Sequence, residues 1–406
     1  MCRDGRSHCG TLGLRVLGAG APSVLGSEIL VSESEMLQKL VCPVSHGPLE
    51  EVHRDRVREV LGDNLCRVDI NRARVVQKDI GETFLLHSHG KGAYPIVDGI
   101  PILMAPEMLV SCESARNGSI TAINTNEDPY REAYAEMHFY NTEAKSSGSD
   151  ITSSGSYKSL EPLVGISNFP SAAWLDAAYD NASQADAYGF ISPIGGKEVL
   201  QLGGSGLHAV KFLLAGASRA WLMTPMLGEA TLGRELARAF GVEDKFRAVV
   251  GIAEQMPFAD ASFDGIYSGG CIHHTVTKRA FPEINRVLNS GGRFAAVEPW
   301  RAPLYRLGSQ VFGKREAPVF GKRDCGVVCN PMEQTRADPL FHTFANAQVR
   351  HHGTFTRYAL IALGKLGARP RQATIDRITR IDDRIASKTS LRKYGSSVAL
   401  LAESSR

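Results

Sequence analysis

The stretch GIAEQMPFADASFDGIYSGGCIHHTVTKRAFPEINRVLNSGGRFAAVEPW, Gly251–Trp300, decides the fold. FDGIYSGG and GRFAAVEP within it are short apolar runs that read as strands, and RAFPEINRVLN between them carries its apolar residues at helical spacing. The same alternation extends upstream. VLQLGG, SRAWLMT and FRAVVGI have the texture of strands, and HAVKFLLAGA and LGRELARAFG that of helices. Strands alternating with helices from about Lys197 onward build βαβ units and therefore a parallel sheet. Further on, a helix is expected around Tyr358–Leu366, and GSSVALLAE near the C-terminus reads as one more strand. The chain contains no internal repeat.

Within this α/β region, VLQLGGSGLHAVKFLLAGA, Val199–Ala217, is a strand, a glycine-rich turn and a helix. Glycine lets the backbone turn tightly and come close to a ligand with no Cβ in the way. The helix that follows presents free N–H groups to a polar or anionic part of that ligand. By itself such a turn is a weak signal, because any strand-to-helix junction can carry glycine.

Gly251–Trp300 resembles the class I S-adenosylmethionine-dependent methyltransferases of the type 11 family. The match lies in Ala253 and Glu254, in Pro257 and Phe258, in Ser262, Phe263 and Asp264, in His273 and His274, and in Glu283, Arg286, Leu288, Gly291 and Gly292. It covers Lys197–Trp300 well and the final hundred residues loosely. The resemblance implies a Rossmann-like, seven-stranded class I methyltransferase sheet over residues 197–406. It implies S-adenosyl-L-methionine as cofactor, held by Gly203, Gly204, Ser205 and Gly206 of the turn, by Thr224, by Ile252, Ala253 and Glu254, and by Ser268 and Gly269. Asp264, which opens its strand, belongs to the fold.

Against the family pattern three carboxylates are missing. Gln201 stands where the first strand normally has an acid, LMTPMLGE (Leu222–Glu229) holds no acid before Glu229, and Ile252 fills the slot of an adenine-binding Asp. Hydrogen bonds to charged groups contribute about 1.5–3 kcal/mol each, so their loss would weaken the cofactor by orders of magnitude. Two readings stay open. Thr224 or backbone groups replace the ribose acid while Glu254 or Gln255 serves the adenine, or the fold persists as a catalytically inactive scaffold with a degenerate site. The candidate catalytic residues are His273, His274 and Glu298. The histidines sit just after a strand, at the edge where α/β sheets bind ligands, and either orient or deprotonate an acceptor or cap and pack the turn. Glu298 either touches the acceptor or is a solvated strand end.

Upstream, MLQKLVCPVSHGPLEEV (Met36–Val52) and GAYPIVDGIPILMAPEML (Gly92–Leu109) resemble the small zinc-ribbon-like activator subunits of tRNA and release-factor methyltransferases. The residues that carry this are Leu40, Cys42, Pro43, Gly47, Pro48 and Leu49, then Tyr94, Pro95, Ile96, Asp98, Gly99, Ile100 and Pro101. DGIP is a turn between two strands. The resemblance implies a small mixed α+β activator-like domain over residues 36–110, docked on residues 197–406. A structural zinc site wants paired cysteines, and Ser45 stands where the second would be, so no metal is expected here or elsewhere. CGVVC, Cys325–Cys329, is one isolated pair. Residues 111–196 read as linker and lid helices. They include the Ser- and Gly-rich stretch 144–159 and two segments, Glu127–Ala144 with its tyrosines and Ala172–Tyr179, that are either an acceptor wall or helices packed on the sheet.

Composition bounds the rest. The 406 residues are 43% hydrophobic and 22% charged, enough apolar matter for a large core and too much for disorder. The net charge of +3 hides an asymmetry, with 19 Lys+Arg against 8 Asp+Glu from Arg301 onward. No dense basic run interleaved with aromatics is present; KREAPVFGKRD, Lys314–Asp324, comes nearest. The expected acceptor is therefore a small molecule rather than a nucleic acid. No apolar run is long enough to span a membrane, residues 1–35 read as a disordered tail without a secretory signal, and eight scattered cysteines fit a reducing, cytoplasmic setting.

Overall fold

The structure, a computed structural model, describes residues 37–69, 81–120, 123–127, 129–137, 181–302, 331–353, 366, 371–388 and 390–404. The 1–35 tail, the Ser-rich stretch, Ala172–Tyr179, the basic Lys314–Asp324 run, CGVVC and nearly all of the helix expected at Tyr358–Leu366 lie outside them. The N-terminal part has six short strands: β1 (Leu49–His53), β2 (Leu65–Arg67), β3 (Thr83–His87), β4 (Ala93–Val97), β5 (Ile100–Pro101) and β6 (Leu109–Ser111). They pair antiparallel in the order β1-β3-β4-β6-β2, with β5 folded onto β4 through the Asp98–Gly99 turn, where both residues have positive φ. Helices α1 (Arg54–Leu61) and α2 (Cys112–Arg116) flank this sheet, and the stretch 130–137 is helical.

The second part alternates as its sequence does. Helix α3 (Asn181–Ile191) leads into β7 (Glu198–Leu202), α4 (Leu207–Leu214), β8 (Arg219–Thr224), α5 (Leu227–Ala239) and β9 (Phe246–Val250). Then come β10 (Phe263–Gly269), α6 (Thr277–Val287), β11 (Leu288–Pro299), α7 (Gln334–Thr343), β12 (Asn346–His352), α8 (Gln372–Lys388) and β13 (Ser397–Glu403). The strand order is β12-β13-β11-β10-β7-β8-β9. β9, β8, β7, β10 and β11 run parallel, and β13 and β12 close the sheet antiparallel.

Period-2 alternation sends successive side chains to opposite faces. Leu200, Leu202, Phe294 and Ala296 enter one core, with Phe281 and Ile284 of α6; Val199, Ala295 and Val297 enter the other, with Tyr188 of α3 and Phe212 of α4. With both faces covered, the strands read as continuous apolar runs. Among the described residues no helix is long and apolar enough to cross a membrane.

The two parts share a core. Leu40, Cys42, Leu85, Tyr94 and Leu103 cluster with Trp221, Val249, Phe258 and Phe263. Backbone pairing crosses as well. The Val41 N–H donates to the Pro257 carbonyl at 3.0 Å, and Ala259 N–H to Lys39 O at 2.9 Å. Ile102 pairs parallel with Val250 beyond the β9 edge, where Leu103 N–H donates to Val250 O at 2.8 Å. That segment covers the exposed end of an edge strand with backbone it can bond to. The Lys39 ammonium completes the seam, 2.8 Å from Glu198 and 2.7 Å from the Ser262 carbonyl.

Candidate active site

The strand order reverses between β7 and β10, since the chain winds outward through β8 and β9 on one side and through β11 on the other. At such a switch point the loops leaving the two central strands diverge and open a crevice at their carboxyl ends. A pocket of about 210 Å³ opens there. Its floor is Gly203 and Gly204 after β7, Gly269 at the end of β10, and Gly270 and Cys271 just beyond it. Met223, Pro225, Met226 and Glu229 follow β8, Gly251–Glu254 follow β9, and Pro129, Ala133 and Glu136 come from the helical stretch far upstream.

The glycine turn is built for close approach. Gly203 and Gly204 have φ of +69° and +75°, which side-chain-bearing residues rarely adopt. Gln201, the residue in place of the expected acid, does not face a ligand. It is buried, its amide donates to Gly203 O at 2.7 Å, and its oxygen accepts from Ala209 N–H at 2.7 Å. An amide can give and take at once where an ionised carboxylate only accepts, so Gln201 fastens the turn to the first turn of α4. Gly206 serves packing: its Cβ would stand 2.8 Å from the Gly233 Cα of α5. Neither Gly206 nor Ser205 lines the pocket, so the four-residue cradle expected from sequence narrows to Gly203 and Gly204.

Thr224 is also displaced from its expected role. It is wholly buried and donates from Oγ1 to a Glu229 carboxylate oxygen at 2.8 Å, while accepting from Met226 N–H. The group facing the pocket is Glu229, in the first turn of α5. The family pattern points to an acid at the strand end, whereas here the carboxylate reaches back from the helix. Ile252 and Ala253 supply apolar wall. Glu254 faces the same space, accepts from Val276 N–H at 2.7 Å, and is raised by burial from the ordinary 4.5 to about 7. Ser268 is wholly buried and does not line the pocket, whereas Gly269 does.

The three catalytic candidates separate. Glu298 is neither a solvated strand end nor a pocket wall: it is 1% exposed. Its carboxylate accepts from the N–H groups of Cys271, Ile272 and His273 and from His273 Nδ1 at 2.7 Å. Four donors converging on one carboxylate fix the turn after β10. His273 is held in that knot away from the pocket, its basicity lowered by burial and by the neighbouring His274 against the pull of Glu298. His274 alone lines the pocket. Burial opposes its charge, but Glu132 and Glu136 outweigh it and raise the imidazole to about 9. At neutral pH it is an imidazolium, so it is no general base.

The tyrosines of the 130–137 stretch do not form an acceptor wall. Tyr130 packs among Ile102, Met104 and Val250 and donates to Gln255 Oε1, and Tyr134 donates to Glu107 at 2.5 Å. Small Ala133 and charged Glu136 face the pocket instead. In the N-terminal sheet Ser45 Oγ lies 2.7 Å from His87 Nε2, and Cys42 Sγ 3.4 Å from the Tyr94 hydroxyl.

Residues 203–296 match the family model described as a methyltransferase domain. The ubiquinone/menaquinone biosynthesis C-methyltransferase UbiE of Haemophilus ducreyi is 30% identical over 145 residues, covering 35% of this chain and 55% of that protein. The sarcosine/dimethylglycine N-methyltransferase of Aphanothece halophytica is 36% identical over 67 residues, 16% of this chain and 24% of that one. A solved geranyl diphosphate methyltransferase in complex with SAM aligns with a TM-score of 0.37 at 14% identity, covering 58% of this chain and 91% of it. The chain thus spans between about a quarter and just over half the length of these curated relatives.

Proposed function

We propose that this chain is an S-adenosylmethionine-dependent methyltransferase acting on a small-molecule acceptor. One observation carries the reading: the segment matching the methyltransferase domain contains the positive-φ glycine floor and most of the wall of the switch-point pocket. The residues fit such a cofactor. Gly203 and Gly204 leave backbone bare at the floor, and around Gly270 nothing lies within 4 Å of where a Cβ would stand. Met223, Met226 and Ile252 offer an apolar slot for a flat ring. Glu229, held by Thr224, offers a carboxylate that can accept from two hydroxyls, and Glu254 a second acceptor.

Bound there, the cofactor supplies a methyl group on a cationic sulfonium. The protein's task is then largely alignment of the acceptor for in-line displacement, with the acids offsetting positive charge. The relatives carry names of carbon and nitrogen methyltransferases, so the acceptor atom is not transferred from them. The N-terminal part, bonded along β9 and the 257–259 loop, braces the walls of the site.

Calorimetric titration with S-adenosylmethionine and S-adenosylhomocysteine tests the reading. Binding in the micromolar range is expected, with Glu229→Gln weakening it about tenfold or more. Absence of heat and of any thermal shift at millimolar ligand would leave the scaffold reading standing.

A further inference from the structure

The geometry points to a divalent transition-ion site of the zinc type on the pocket wall, with Glu132, Glu136 and His274 as its protein ligands. The ligand atoms of these three residues all lie within 4.8 Å of one another. They come from two rigid pieces. Glu132 and Glu136 are four apart on one helical stretch and so share a face. His274 ends the 3-10 turn after β10, which the four bonds to Glu298 hold in place.

A second observation concerns how these atoms meet. Nδ1 of His274 lies 2.6 Å from a Glu136 oxygen and 3.5 Å from Glu132. Yet the His274 Nδ1 and that Glu136 oxygen, although an ion pair, are both buried and have no hydrogen-bond partner among the described residues. Glu136 is only 7% exposed. A carboxylate buried to that degree needs its lone pairs satisfied. A cation at the centre of this crowd would displace the Nδ1 proton and take the imidazole nitrogen and the carboxylate oxygens as ligands. Tetrahedral metal–ligand bonds of about 2.0–2.2 Å put neighbouring ligand atoms about 3.3–3.6 Å apart, which the 3.5 Å between His274 and Glu132 already meets and the 2.6 Å to Glu136 would reach by opening less than 1 Å.

Charge favours the same conclusion. Two carboxylates face one imidazole, Glu254 stands close enough to Glu132 to feel its charge, and the nearby Arg279 and Arg336, which feel Glu254 and Glu132, do not line the pocket. A divalent cation would neutralise the excess. One imidazole nitrogen with two carboxylates suits zinc better than magnesium or calcium, which take oxygen ligands. Three protein ligands leave a coordination position open toward the pocket, as in sites where a metal meets substrate. The sequence hides this group because its members lie some 140 residues apart and carry no paired-cysteine spacing.

The test uses the full chain stripped with chelator and free of cofactor, so it does not depend on methyl transfer. Zn²⁺ is titrated by calorimetry, and Co²⁺ is added as a spectroscopic substitute. One equivalent of Zn²⁺ is expected to bind at micromolar or tighter affinity, with visible Co²⁺ bands from nitrogen and oxygen ligation. Glu136→Gln and Glu132→Gln should each weaken binding roughly tenfold or more, with folding confirmed by circular dichroism. Glu132 is the more exposed of the two, so its variant decides the matter if Glu136→Gln fails to fold. No binding by the parent chain, or equal binding by the Glu132→Gln variant, would overturn the site.

Discussion

Gly203 illustrates how much one residue settles. An added Cβ would sit 2.7 Å from Cys271 Sγ, on a backbone already at positive φ. The left-handed conformation alone costs about 1–2 kcal/mol for a side-chain-bearing residue. Gly203→Ala is therefore expected to lower the melting temperature and weaken the cofactor at least tenfold. Gly195→Ala, where nothing lies within 4 Å, should be neutral in both measurements. Glu254 gives a pH signature. Its pKa rises on burial from 4.5 to about 7, so the folded state holds its proton more tightly than the unfolded chain does. That stability is fully present below about pH 4.5 and is lost as pH climbs through about 7. Across this window wild type should lose stability relative to Glu254→Gln, read as a widening gap between their melting temperatures; parallel curves would contradict the burial. Glycine floors are legible in sequence because only glycine fits, but a helix-borne carboxylate such as Glu229 is not, since its direction depends on where α5 begins.

At the scale of elements, α6 does more than cross over between strands. Its Arg286 donates to the carbonyls of Met256 and Phe258 at 3.0 and 2.7 Å and pairs with Glu283 and Asp260. Glu283 in turn accepts from Met256 N–H. One guanidinium fork thus ties the loop after β9, which carries Ile252–Glu254, to the helix behind it. Arg286→Ala should cost about 3 kcal/mol or more by leaving carbonyls and carboxylates unpaired, measured by denaturant unfolding. Arg286→Lys should recover only part of that, because a point charge cannot serve both carbonyls and both acids. The Glu-Ile-x-Arg pattern was visible in sequence and identified the fold. Its mechanical purpose emerges only when the loop and helix meet.

For the whole molecule, the decisive feature is that the described residues of the N-terminal sheet and of the second sheet pack into one core. Leu40 bridges to Phe258, and Trp221, on β8 beside the edge strand, is fully buried next to Phe258 and Phe263. A chain shortened to residues 197–406 would expose this aromatic cluster and the far end of β9. It is expected to aggregate or lose cooperative unfolding in circular dichroism and light scattering. A shortened chain that stays monomeric and equally stable would show that the shared core contributes little. Sequence alone determined the strand–helix alternation and the glycine turn, because both are local: period and backbone freedom are written in neighbouring residues. Only the tertiary structure decided which acids face the pocket, that Glu298 is buried and His274 is not withdrawn, and that Glu132 and Glu136 meet His274. Those facts depend on contacts between segments more than a hundred residues apart or on the direction in which a turn sends a side chain, and neither leaves a periodic trace in the chain.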